Sequence, residues 1–331
     1  GQVCFSSAAT GKPAASMQWQ FNSGAGWSNI GGATASPLCF NATASQSGTR
    51  YRAVFTVDCG TVNSNEATLT VNTPPVVDVQ PLDKTVCDGA AVSFSSTANG
   101  APAPAMQWQM STNGGSSWSD IGGATASPLS FTAALAHNGN QYRAVFTNSC
   151  GSANSNPATL IVNTPPVVSL QPRDSTVCDG ARVCFSSAAT GKPAASLQWQ
   201  VNSGSGWSDI SGETASPFCF DATQSQSGNK YRAVFSNSCG TVNSNEATLT
   251  VNPALTVSLH PLDQTACEGA PVSFSATADG TPVPTLQWQL STNGGSDWGN
   301  IAGATASPLS FNAIVSQNGY KYRAVFTNTC G

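Results

Sequence analysis

Sulfur is the only reactive chemistry this chain carries in quantity. Its eleven cysteines are Cys4, Cys39, Cys59, Cys87, Cys150, Cys178, Cys184, Cys219, Cys239, Cys267 and Cys330, and no two form a Cys-x-x-Cys pair. Zinc sites draw on closely spaced thiolates and imidazoles, and only two histidines are present, so the pattern reads as disulfides rather than metal. His137 and His260 have no serine or recurrent carboxylate beside them, which leaves no acid–base or nucleophilic constellation; both read as exposed loop residues. Asp83, Asp88, Asp174 and Asp179 flank the linkers at a spacing that fits turns better than a calcium cage. Asn41-Ala-Thr43 is a lone glycosylation sequon with Asp221 in its place further on. Disulfides persist in oxidising compartments, which points to an extracellular or cell-surface location.

The elements that must position these cysteines repeat. YRAVFTVDCG begins at Tyr51, YRAVFTNSCG at Tyr142, YRAVFSNSCG at Tyr231 and YRAVFTNTCG at Tyr322. Tyr142, Ala144 and Phe146 alternate with Arg143, Val145 and Thr147, the period of two of a strand. A first tryptophan recurs at Trp19, Trp108, Trp199 and Trp288, at spacings of 89, 91 and 89 residues. A second recurs at Trp27, Trp118, Trp207 and Trp298. The length difference lies wholly between the two tryptophans, in a Gly-rich stretch that reads as a hairpin loop. The true period is therefore a pair of units.

Composition narrows the function. Only 8% of the 331 residues are charged, and the net charge is −4, so no basic stripe exists and nucleic acid is excluded as a partner. No apolar run is long enough to span a membrane. In the second unit, 76–80 and 84–87 read as a split first strand, 91–97 as the next, followed by 105–111, 117–121, 128–134, the YRAVF strand and 153–162. No segment shows a helical period. Seven or eight short strands with regular turn signals predict a β-sandwich.

The pattern Gly89, Phe94, Gly100-x-Pro102-x-Pro104, Trp108, Gly139-x-x-Tyr142-x-Ala144 and Asn148-x-x-Gly151 resembles an intermediate-type immunoglobulin domain. It is most similar to the tandem immunoglobulin-like repeats of large bacterial surface proteins. The resemblance implies an all-β array of four sandwiches, with Trp19, Trp108, Trp199 and Trp288 in the core and Tyr51, Tyr142, Tyr231 and Tyr322 as tyrosine corners. It implies domains at 1–72 (lacking strands A and A′), 73–163, 164–252 and 253–331 (lacking strand G). The incomplete ends fit either a window of a longer array or strand addition by a neighbour. The disulfide that typifies the family would fall at Ser96 and Ala144, where no cysteine stands.

In this register Cys4 with Cys39, and Cys184 with Cys219, lie outward on adjacent strands B and E. Both are replaced together by serine in the other units (Ser93 with Ser130, Ser273 with Ser310), which predicts two cross-strand disulfides. Cys87, Cys178 and Cys267 fall at the A′-to-B turn; Cys59, Cys150, Cys239 and Cys330 fall at the F-to-G turn, at the far end of the sandwich. A strand of eight residues spans about 25 Å, whereas a disulfide needs Cα atoms within about 7 Å. Interdomain pairs Cys87–Cys239 and Cys178–Cys330 are therefore expected, with Cys59, Cys150 and Cys267 left for partners elsewhere. Pairs within a domain, such as Cys87–Cys150, and pairs between molecules are the alternatives.

The arginines of YRAVF (Arg52, Arg143, Arg232, Arg323) form a row on an outer face, as cross-strand partners, and the second tryptophans serve packing. The function expected is a structural extracellular rod or filament of disulfide-stapled repeats, with no catalysis and no cofactor, whose partners are copies of itself. The alternative is the stalk of a bacterial adhesin that binds a surface, glycan or protein through a tip or an exposed sheet face.

Overall fold

A computed structural model describes residues 1–331. It is all strand apart from four short 3-10 turns (Ala44–Gln46, Leu135–His137, Gln224–Gln226 and Val315–Gln317). No helix is long and apolar enough to cross a membrane. The chain divides into two compact units, Gly1–Asn163 and Thr164–Gly331, each carrying two copies of one sandwich.

The copy at 73–163 shows the plan in the first unit. Ala91–Phe94 pairs antiparallel with Leu129–Thr132 to make one layer. The other layer is built on Gln141–Asn148, which pairs with Ala105–Ser111 on one side and with Gly151–Asn154 on the other. Leu160 to Asn163 run parallel to Lys84–Cys87. Strand alternation sends Phe94, Trp108, Tyr142, Ala144, Phe146, Leu160 and Val162 into the space between the layers, where all are buried. Tyr142 stacks on Phe94 at 4.8 Å between ring centroids. The Trp108 indole is fully buried, and its Nε1 donates to the Ala126 carbonyl at 3.0 Å, so its polar edge is satisfied.

Two strand expectations are corrected. Residues 91–97 do not form one strand: Ala91–Phe94 faces Leu129–Thr132, while Thr97–Ala101 faces Thr73–Val79. The chain changes partner at Ser96, which is fully buried, takes a hydrogen bond on its own hydroxyl geometry to the Val79 carbonyl at 2.8 Å, and donates its N–H to Ser127 Oγ at 3.1 Å. A serine at this switch point satisfies backbone groups that the ladder leaves unpaired. The 117–121 strand shrinks to Ser119–Asp120, because Trp118 is held by its own loop through Nε1 to the Gly115 carbonyl.

In the second unit, the copy at 164–252 repeats this plan, with Ser175–Cys178 parallel to Ala247–Asn252 and a core around Phe185, Trp199, Tyr231 and Leu249. In the copy at 253–331, Thr285–Ser291 pairs with Lys321–Thr327, and Pro271–Phe274 with Leu309–Asn312. Residues 264–267, the counterparts of Ser175–Cys178, form no strand there. The buried Tyr322 hydroxyl has no hydrogen-bond partner. In the copy at 1–72, Gln2–Phe5 pairs with Leu38–Asn41 and Ser16–Asn22 with Arg50–Val57.

Candidate functional site

Three features repeat with the fold and are built by side chains: a brace under the core tryptophan, an arginine–tryptophan face, and covalent joints. The Gln-Trp-Gln triplet supplies the first two. Gln107 Nε2 donates to the carbonyls of Trp108 and Ile121 at 2.9 and 2.8 Å, closing the hairpin from within. Gln18, Gln198 and Gln287 do the same in the other copies.

Gln109, on the opposite face, accepts from Arg143 Nε at 2.9 Å and donates to Asp120 at 2.8 Å. That fixes the Arg143 guanidinium over the Trp118 ring, 4.3 Å from its centroid. Arg52 lies over Trp27, Arg232 over Trp207 and Arg323 over Trp298, all at 4.1 to 4.2 Å. The structure thus brings the arginine row and the second tryptophans together. One face of each indole is covered by guanidinium, a pairing worth about 0.5–1 kcal/mol at an exposed site. The missed signal was the register: each arginine faces the glutamine directly after the core tryptophan.

The loop between the two tryptophans comes in two lengths with two solutions. In the short form Asn22 Oδ1 accepts from the backbone of Gly24 and Gly26. In the long form Ser111 Oγ accepts from the backbone of Gly115, and Asn113 Oδ1 from that of Ser117.

The cysteines form the joints. Cys4 and Cys39 are cross-strand partners bonded at a Cα separation of 4.2 Å, and Cys184 and Cys219 at 4.1 Å. In the serine copies the same positions still face each other, and Ser273 Oγ lies 3.1 Å from Ser310 Oγ. Cys178 is bonded to Cys330 at a Cα separation of 5.5 Å, across 152 residues. That bond ties the turn after Ser175–Cys178 in one sandwich to the turn after Lys321–Thr327 in the next. Cys87 and Cys239 are disulfide-bonded cysteines. Cys59, Cys150 and Cys267 are exposed free thiols. The within-domain alternative is overturned, since Cys150 is free and Cys178 is bonded to Cys330. The two turns stand at opposite ends of a sandwich, out of bonding reach of each other.

The tryptophans Trp19, Trp108, Trp199 and Trp288 are all buried, as are Tyr51, Tyr142 and Tyr231. Burial raises the pKa of Tyr142 and Tyr231, and hydrogen bonds from Asn140 and Asn229 pull it back in part. The linker aspartates act as backbone acceptors rather than turn formers. Asp83 takes the Thr159 N–H at 2.6 Å and Asp174 the Thr248 N–H at 2.7 Å. Asp88 and Asp179 take those of Leu135 and Gln224, both at 2.7 Å. No three histidine, cysteine or acidic side chains gather in one place. His137 caps its turn through Nδ1, which accepts from the Ala134 N–H, and packs edge-on against Phe131. Its ring is held for structure.

A single family model matches four times, at residues 2–73, 80–164, 170–253 and 259–331, under the description "Domain of unknown function (DUF8696)". The chain belongs to this family. Its members here are immunoglobulin-like: an I-band fragment of titin, I67-I69, superposes with a TM-score of 0.52 over 78% of this chain and 95% of that one, at 18% identity, which shows the fold alone. Endoglucanase C of Cellulomonas fimi is 44% identical over 171 residues, covering 51% of this chain and 15% of that protein. Human Hemicentin-1 is 26% identical over 227 residues, 66% of this chain and 4% of that protein. The chain thus spans a small part of the curated relatives it matches.

Proposed function

We propose that this chain is a structural spacer of an extracellular protein: an elongated run of immunoglobulin-like sandwiches whose joints are locked by disulfides and whose work is mechanical. The observation that carries this reading is the Cys178–Cys330 bond between successive sandwiches. An ordinary flexible linker leaves neighbouring domains free to reorient. A covalent staple across the joint removes that freedom. The reading includes the Cys87–Cys239 bond as a second staple of the same kind, 152 residues apart like the first. A non-reducing peptide map tests it directly: a Cys87–Cys239 peptide is expected, and any other partner for either residue overturns it.

Solution scattering tests the shape. Four end-to-end sandwiches make a rod on the order of 150 Å, with a radius of gyration of about 43 Å, against about 20 Å for a compact chain of this length. A value near the compact limit in oxidising buffer would sink the proposal.

A second reading has its own support. The match to part of Endoglucanase C favours a spacer that accompanies a catalytic or binding module in a longer secreted protein. On this reading the isolated chain does not sediment with insoluble cellulose. Co-sedimentation would instead make the repeats themselves a binding surface, as in the adhesin alternative.

A further inference from the structure

The bonded joint at Cys178–Cys330 has unbonded counterparts elsewhere in the chain. The turn that presents Cys178 is closed by the Ala181 N–H to the Cys178 carbonyl at 2.9 Å and by the Gly180 N–H to the Ala222 carbonyl at 2.7 Å. Gly180 takes φ 78°. At Cys267 the same hydrogen bonds recur, Ala270 to the Cys267 carbonyl at 3.0 Å and Gly269 to that of Ala313 at 2.8 Å, with Gly269 at φ 79°. Cys267 is thus presented by the same turn as Cys178, but its thiol is exposed and free. The other half of the joint, the place of Cys330, is occupied by the free, exposed thiols of Cys59 and Cys150.

These two are not equivalent. Beside Cys150, Ser149 Oγ accepts from Asn72 Nδ2 at 3.4 Å, so the preceding sandwich already lies against that turn. No such contact covers the Val57-Asp58-Cys59 turn.

We propose that Cys267 of one chain and Cys59 of a second copy form an intermolecular disulfide that reproduces the Cys178–Cys330 joint and links chains head to tail. The two halves lie on different surfaces of the molecule, so the contact is heterologous and propagates rather than closing on itself as a two-fold dimer. The chemistry is thiol–disulfide exchange with a small disulfide oxidant such as oxidised glutathione. The Cys267 thiolate attacks the oxidant, forming a mixed disulfide and releasing one glutathione thiol. The Cys59 thiolate of the second copy then attacks the Cys267 sulfur and releases the second. Two protein thiols lose two electrons and two protons, and one glutathione disulfide becomes two thiols. The proposal rests on the spacer reading above and extends it from one chain to many.

The test is to incubate the 331-residue chain in a reduced–oxidised glutathione buffer, block free thiols by alkylation, and combine non-reducing electrophoresis with a peptide map. A ladder of multiples that collapses with dithiothreitol, and a Cys59–Cys267 cross-linked peptide, are expected. Cys267→Ser and Cys59→Ser should each abolish the ladder, and Cys150→Ser should leave it unchanged. A monomer with all three thiols alkylated overturns the proposal. So does a ladder built on Cys59–Cys59, Cys267–Cys267 or Cys150. The wild-type map decides the matter even where a serine variant folds poorly. A monomeric chain with rod-like scattering sinks this inference alone, whereas compact scattering sinks the spacer reading whatever the gel shows.

Discussion

Arg143 is the residue whose role depends most on its neighbours. Its aliphatic stem and guanidinium lie flat on Trp118, and its Nε is committed to Gln109. Arg143→Ala is expected to lower the stability of its sandwich by about 1 kcal/mol, from the lost cation–π contact and the lost hydrogen bond. Arg143→Lys should recover part of this, since an ammonium keeps the charge but not the planar stacking or the Nε donor. Chemical denaturation followed by tryptophan fluorescence measures both. Buried tyrosines give a second expectation at this scale. The folded-state pKa of Tyr142 and Tyr231 is raised by desolvation. The unfolded chain then loses those protons first, so the contribution is fully present below about pH 10 and is lost as pH rises through the folded values. Denaturant midpoints taken across the alkaline range, with tyrosinate absorbance at 295 nm, should fall together with ionisation; a flat midpoint contradicts it. Tyr322→Phe, by contrast, removes a buried hydroxyl with no partner and is expected to be neutral or slightly stabilising.

At the scale of the element, the outer strand pair shows how one scaffold takes two chemistries. Cys4 with Cys39 and Ser93 with Ser130 occupy the same cross-strand register. Closing a loop of 35 residues removes denatured-state entropy worth about 4 kcal/mol at most. The Cys184→Ser, Cys219→Ser double variant should therefore lose up to about 4 kcal/mol in its own sandwich and little elsewhere. Conversely, Ser93→Cys with Ser130→Cys should oxidise without a redesign of the backbone and raise the thermal midpoint of the 73–163 sandwich. Thiol counting after air oxidation and calorimetry check this; two persistently titratable new thiols would show that the copies differ more than their register. The glycine at the Gly191 position is a limiting case of the same packing. A Cβ there would approach Asn237 Nδ2 and the Pro166 Cα, each at 3.2 Å, and φ is 155°. That asparagine ties the loop down by donating to the carbonyls of Thr164 and Pro193, both at 2.9 Å.

At the scale of the whole molecule, the Cys178–Cys330 bond closes the longest loop of any disulfide with both partners in one unit. Selective reduction should leave the cores intact, because each sandwich packs its own tryptophan and tyrosine. Hydrogen exchange is expected to speed up at the turns around Cys178 and Cys330 while Trp199 and Trp288 amides stay protected. Loss of core protection on mild reduction would mean that the staple holds the fold and not merely the joint. The repeat, the strand alternation and the outward pairing of Cys4 with Cys39 were legible in the chain itself. Periodicity of two and covariation between copies are local signals that survive without coordinates. The partner switch at Ser96, the stacking of Arg143 on Trp118 and the aspartates reaching the backbone of distant strands were not legible. Each depends on which strands become neighbours, and residues far apart in sequence carry no mark of that. The sequence by itself determined that one sandwich was copied and that its cysteines serve disulfides. Only the tertiary structure decided between Cys150 and Cys330 as the partner class for an A′-to-B cysteine, because bonding turns on a few ångströms between opposite ends of a sandwich.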